Sequence, residues 1–278
     1  MGCITIGVSI KHHLRMRPGW NPTRRNKHVG TKAHGHGDDN RMVVPEAWGE
    51  YFLEQLGSHV LVKRQINGRE MLFFVQPTRP GHFYPCSIDD ICKVLAGCPD
   101  EVTAAFDFII LRQPTRKQGI LQPVWGRAAY RYEIRKQRGA AVIIEAQMPD
   151  SYIWSKSTNP EQARELKRLR QDGHQIEVTR RGVQVTRTAQ SSRNTILYRT
   201  LLHEIGHHLD INRSTYEEWA AKTQATKEDY AHRFAAELYA RLEQQAVVPF
   251  APILDEIAMA QDGLDLAWFH SRDSATTS

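Results

Sequence analysis

The stretch HVLVKRQINGREMLFFVQP, positions 59–77, is two runs of β-branched and aromatic residues that meet at Asn67-Gly68. Both loop positions of a tight hairpin need positive φ, which Asn and Gly tolerate, so the pattern predicts an antiparallel pair. Before it, EAWGEYFLEQLG after Pro45 predicts a short helix ending at Gly57. After it, Ser87 and Asp90 have capping-box spacing and open a helix with apolar Ile88, Ile91, Val94 and Leu95, which stops near Gly97 and Pro99. Strands are predicted at 106–112, 124–134 and 141–146, the last a continuous apolar run suited to a buried sheet. A helix from Asn159 and Pro160 carries a thin stripe of Ala163, Leu166 and Leu169 and ends at Gly173. A two-stranded ribbon follows at 174–180 and 183–188, around Arg181-Gly182. The polar run 190–194 supplies an N-cap for a helix over 195–210, TILYRTLLHEIGHHLD. After a turn come helices at 226–245 and near 253–260. The expected class is α+β, a small mixed sheet packed on helices.

Composition changes this picture at one end only. Residues 1–41 hold eight of the 37 basic residues and two of the 31 acidic ones, so the formal charge of +6 belongs to this arm and the rest balances. The arm is rich in Gly, Pro, Arg, Lys and His and has little to bury, so it is expected to be disordered. A solvated tail is its expected state, with weak nucleic-acid contact through residues 11–41, or loose metal binding by His34 and His36, as the alternatives. Three parts are expected: the arm at 1–41, an N-terminal α/β part at 42–150, and a part at 151–278 that carries the 195–210 helix and the C-terminal helices. Cys3, Cys86, Cys92 and Cys98 contain no C-x-x-C pair and read as free thiols of a reducing compartment. No convincing signal peptide is seen, no run approaches the ~20 apolar residues of a membrane span, and Ile6 stands where a myristoylation pattern wants Ser or Thr. The expected location is the cytoplasm.

The chemistry is concentrated in 195–210, where His203, Glu204 and His207 form H-E-x-x-H. At helical spacing the two imidazoles lie about 40° apart on one face and can grip one metal ion. Glu204 is swung about 100° round the helix, beside the metal, where a general base for a metal-bound water belongs. Leu202, Ile205 and Leu209 fall on the opposite side, so the helix has an apolar back and a metal-ready front. A catalytic zinc usually takes three protein ligands and keeps one position for water. Candidates for the third are Asp210, Glu217, Glu218, Glu228, Asp229 and Glu237. Asp210 would have to reach back along its own helix, and a hydrogen bond that orients a ligand suits it better. Glu228 shares a helix face with Ala231, Ala235 and Leu242 and points into the packed interface, whereas Glu237 faces away. Geometry therefore favours Glu228. Its competing role is a carboxylate at a helix N-terminus, with Thr226 and Asp229 as a capping box.

HEIGH at 203–207 followed by E-D-Y-A-H-R-F-A-A-E-L at 228–238 resembles the ImmA/IrrE metallopeptidase pattern, with His232 in place of its Asn. The resemblance implies His203 and His207 as ligands, Glu204 as catalytic acid/base and Glu228 as third ligand. HExGHxxD, which includes Asp210, and the downstream E-x-x-A also resemble lethal-factor-like zincins. Both share the gluzincin arrangement, which implies a zincin-like fold, one Zn2+ per chain and a zinc-dependent endopeptidase acting on a protein or peptide substrate. In such folds an edge strand of the sheet holds the substrate, and 141–146 or 183–188 is the expected edge. Tyr198, Arg199, Tyr216, Tyr230 and His232 are candidates for steadying an oxyanion; Arg199 could instead pair with an acid such as Asp210. The rival readings are a regulatory or nucleic-acid-associated protein whose zinc site is structural or vestigial, and an exported toxin protease.

Overall fold

The computed structural model describes residues 52–53, 56–116, 118, 124–154 and 160–269. The arm at 1–41 and most of the predicted 45–57 helix lie outside them. Within that predicted helix, Phe52–Leu53 instead form a short strand, β1, pairing parallel with Tyr132 and Glu133. A partner strand brought up by the tertiary fold overrides the local helical pattern there.

The hairpin forms as its turn chemistry requires. β2 (Val60–Ile66) and β3 (Arg69–Val75) pair antiparallel across Asn67 and Gly68, whose φ values are 51° and 76°. The helix α1 (Ile88–Ala96) has the reciprocal capping box at Ser87 and Asp90, and one further turn, α2, spans Asp100–Thr103. With β4 (Phe108–Arg112), β5 (Gly126–Ile134) and β6 (Gln137–Glu145), the strands form a mixed sheet in the order β1-β5-β6-β4-β3-β2. β4 lies between β3 and β6, parallel to both, and all five of its residues are buried, four of them the apolar run Phe108–Leu111.

A second sheet has the order β7-β9-β8, from β7 (Ser151–Trp154), β8 (Gln175–Val178) and β9 (Val183–Thr186). β7 is a strand the pattern did not predict; four residues are too few for alternation to register. The helix α3 (Pro160–Gln171) covers this sheet, with Leu166 and Leu169 against Trp154, Val183 and Val185. Neither strand expected to hold substrate is an edge: β6 lies between β5 and β4, and β9 between β7 and β8.

The long helix α4 begins earlier than expected. Thr188, and not the polar run 190–194, is its N-cap, sharing a capping box with Ser191. α4 then runs through Ala189–Arg193, winds as a π-helix over Asn194–Thr200 and returns to α geometry over Leu201–Asn212. A one-turn helix missed in the sequence, α5 (Tyr216–Ala221), leads to α6 (Gln224–Gln244) and α7 (Glu256–Gln261). Ile196, Leu201, Leu202, Ile205 and Leu209 of α4 share one core with Ile109 and Leu111 of β4, Val142 and Ile144 of β6, and Ala235, Leu238 and Leu242 of α6. α4 thus lies between the sheet and α6, and every residue from Leu201 to Ile211 is buried. Cys86, Cys92 and Cys98 are free thiols, and burial pushes all three up, Cys92 and Cys98 to about 12. No helix among the described residues is long and apolar enough to cross a membrane.

His174 ties β8 to the start of α4: its ring nitrogens lie 3.1 Å from Ser191 Oγ and 2.8 Å from Thr195 Oγ1. Burial lowers its pKa from 6.5 to about 4, although Asp172 works the other way. The folded state therefore prefers the neutral ring, and between these values the unfolded chain binds the extra proton. This contribution is fully present above about pH 6.5 and is lost as pH falls toward 4. In thermal melts between neutral and acid pH, His174→Gln is expected to lose stability less steeply than wild type on acidification. Parallel slopes would remove His174 from the acid response.

Candidate metal centre

The approach of α6 to α4 depends on a glycine. A Cβ on Gly206 would lie 3.1 Å from both Ala231 Cα and Phe234 Cδ1, tighter than ordinary packing. With hydrogen at Gly206 and methyl at Ala231, the helices close and Glu228 comes to rest opposite His203 and His207. The N-cap of α6 is Thr223, whose hydroxyl accepts from the Thr226 amide at 3.1 Å; the Thr226–Asp229 capping box does not form. Glu228 consequently sits in the second helical turn, beyond the free amides that its competing role required.

Three donor atoms converge. His203 Nε2 and His207 Nε2 are 3.2 Å apart, and Glu228 Oε2 lies 3.5 Å from the first and 3.7 Å from the second. Gln224 donates to the other carboxylate oxygen, Oε1, which leaves Oε2 facing the imidazoles. Bonds of zinc length to nitrogen and oxygen in tetrahedral geometry separate neighbouring donors by about 3.3 to 3.5 Å. The three spacings, 3.2, 3.5 and 3.7 Å, lie within a few tenths of an ångström of that shell, whereas 3.5 and 3.7 Å are long for hydrogen bonds. Glu228 Oε2 is buried without a well-formed hydrogen bond, a cost that a cation among these donors would relieve. The residues present therefore fit a zinc ion.

Electrostatics adds to this. Burial alone would raise Glu228, but His203 and His207 outweigh it and hold the carboxylate down at about 2. Burial likewise opposes a charged His207, yet Glu228, Glu204 and Asp210 raise it; for His203 burial dominates and lowers it to about 4. Glu204, 7% exposed, is pushed the other way. Burial, and then Glu228, lift it to about 7, against His207, the Ala128 backbone N–H and Arg127. A carboxyl that changes protonation near neutrality, beside a metal-ready cluster, suits a proton carrier.

The remaining sequence candidates divide. Asp210 lies one turn past His207, buried, with Oδ1 2.6 Å from Lys222 Nζ and Oδ2 without a partner. Arg199 does not reach Asp210; it donates to Glu165 and Asp172 at 2.8–3.0 Å and locks α4 to α3 and its C-terminal turn. The Tyr230 hydroxyl accepts from Arg213 at 2.9 Å, away from the cluster. Tyr198 is bonded to Arg193 and the Phe250 carbonyl, and Tyr216 is exposed on α5. Of the five oxyanion candidates only His232 is at the centre, its ring 4.3 Å from that of His203. The sequence reading missed its potential as a ligand, although its spacing from Glu228 repeats that of His203 and His207. The front of the helix is also more enclosed than an amphipathic pattern suggests, with His203, Glu204 and His207 each no more than 7% exposed.

Glu228→Ala is expected to lower zinc affinity by at least about 100-fold, through loss of a charged ligand. Glu237, exposed and 4.0 Å from Arg233, is the control: Glu237→Ala should bind as wild type does in chelator competition. The reverse order would assign the third donor to the wrong acid. Gly206→Val should melt below wild type, because α6 would have to move. No family model matches the chain, and neither a curated protein nor a solved structure matches it.

Proposed function

We propose that the chain is a zinc-dependent endopeptidase of the gluzincin type, with a zincin-like fold and an ImmA/IrrE-like motif, hydrolysing peptide bonds of a protein substrate. The observation that carries the proposal is the spacing of His203, His207 and Glu228, 3.2–3.7 Å, with the raised carboxyl of Glu204 beside them. When bound, zinc would polarise the scissile carbonyl and make a water a better nucleophile near neutral pH. Glu204, as carboxylate, takes that water's proton and, as the acid, passes it to the leaving amine. His207 and the Ala128 N–H favour its ionised form, while burial and Glu228 favour its protonated form.

An extended substrate would lie along β5, since β6 and β9 are both internal strands. Among the described residues, the outer partner of β5 pairs only at Tyr132 and Glu133, while at its opening half Gly126 lies beside Thr200 and Glu204 and the Ala128 N–H faces the Glu204 carboxyl. An extended peptide added to that half would lie next to Glu204, held by main-chain hydrogen bonds. The free thiols Cys86, Cys92 and Cys98 suit action in the cytoplasm.

Purified wild type should contain about one zinc per chain and cleave a peptide or protein substrate. Glu204→Gln should retain the zinc and lose about 10²- to 10⁴-fold in rate. Carefully prepared wild type that binds no zinc would refute the proposal. Zinc binding with equal turnover in both proteins would remove Glu204 from the chemistry.

A further inference from the structure

His232 is the side chain at the centre that this mechanism leaves unused. It lies one turn beyond Glu228 on α6, and the two repeat, on the facing helix, the i, i+4 spacing of His203 and His207. Two helices in contact thus each offer two donors to one point, an arrangement used for metal sites within helical bundles. A ring nitrogen of His232 is within 4.8 Å of donor atoms of both His203 and Glu228. Its ring lies against that of His203, centroids 4.3 Å apart, with the planes tilted by 39°. Among the described residues neither of its nitrogens has a hydrogen-bond partner, and it is half-buried where His203 and His207 are buried. A separation within 4.8 Å places a His232 nitrogen at most about 1.5 Å beyond the spacing of about 3.3 to 3.5 Å in a tetrahedral shell.

We propose that His232 is a displaceable fourth ligand. This rests on reading the centre as a zinc site. With no substrate present, His232 joins His203, His207 and Glu228 to close the shell, holding the position that water needs. An incoming group that binds the metal pushes it out toward the half-exposed rim, and the three-ligand catalytic arrangement results. Four protein donors characterise structural sites and three characterise catalytic ones. The chain would hold both states, the enclosed pair on α4 staying fixed while the outer imidazole on α6 moves.

The test uses the full chain loaded with cobalt(II), whose visible absorption reports the ligand set, and with zinc, whose affinity is read by chelator competition. Wild type is compared with His232→Asn and His232→Gln, which also guard against one variant misfolding, and with Glu228→Ala. Both His232 variants should bind zinc at least about 10-fold more weakly and give a cobalt spectrum different from that of wild type. Acetohydroxamate, a small metal-binding probe, should bind the His232 variants more tightly, since no imidazole must leave, and should bring the wild-type and variant spectra together. Identical affinity and spectra in wild type and both variants would overturn the proposal. So would a wild-type spectrum that acetohydroxamate leaves unchanged while altering the variants, because His232 would then be a permanent ligand. Failure of the zinc reading looks different: wild type itself would not bind the metal, or Glu228→Ala would bind it equally well.

Discussion

The contact between Gly206 and Ala231 sets the distance between two helices, and the centre depends on that distance. A carboxylate on one helix can meet two imidazoles on another only when the axes come closer than larger side chains allow. The motif supplies the glycine and α6 supplies the alanine. The three donors then stand at separations a small ion can span, without a loop having to carry any of them. Mounting on helices matters because a site that binds a metal needs its donors held to within a few tenths of an ångström.

The rest of the fold keeps α4 from shifting under that contact. At its start Arg193 pairs with Asp90, both 2% exposed or less, at 2.9 Å. The same carboxylate caps α1 and accepts from the Ile253 amide, so a single buried acid joins three segments. Six residues later Arg199 is clamped by Glu165 and Asp172. Beneath, the apolar side of α4 rests on β4 and β6. Breaking a buried pair such as Arg193–Asp90 would leave an uncompensated charge and cost about 3–5 kcal/mol.

Much of this was legible in the sequence where the signal is local. Asn67-Gly68 and the Ser87 capping box state their own backbone conformations, and His203, Glu204, His207 and Glu228 follow from helical periodicity with one packing argument. What was missed depends on partners distant in sequence. β1 is a strand because β5 lies beside it, and β6 is internal because β4 follows a parallel crossover that no periodicity records. Arg199 finds acids 34 and 27 residues upstream, so its one-turn relation to Asp210 was no guide. Thr188 caps α4 because the helix continues back through the polar run 190–194, which was expected to supply the cap itself. His232 is a different case: its spacing from Glu228 was visible, but a histidine in a slot where asparagine was expected was weighed only as an oxyanion donor.

The π-helical stretch Asn194–Thr200 separates the anchor at Arg193 from the donors at His203 and His207. Wider winding advances each residue by less rotation than an α-helix does, so the stretch sets the angular phase between the two. Arg193 can face α1 while the imidazoles face α6, in one uninterrupted helix. The phase is a matter of chain length as well as residue identity. An amino acid inserted or removed between anchor and donors would turn the imidazoles about the helix axis even if every donor were retained.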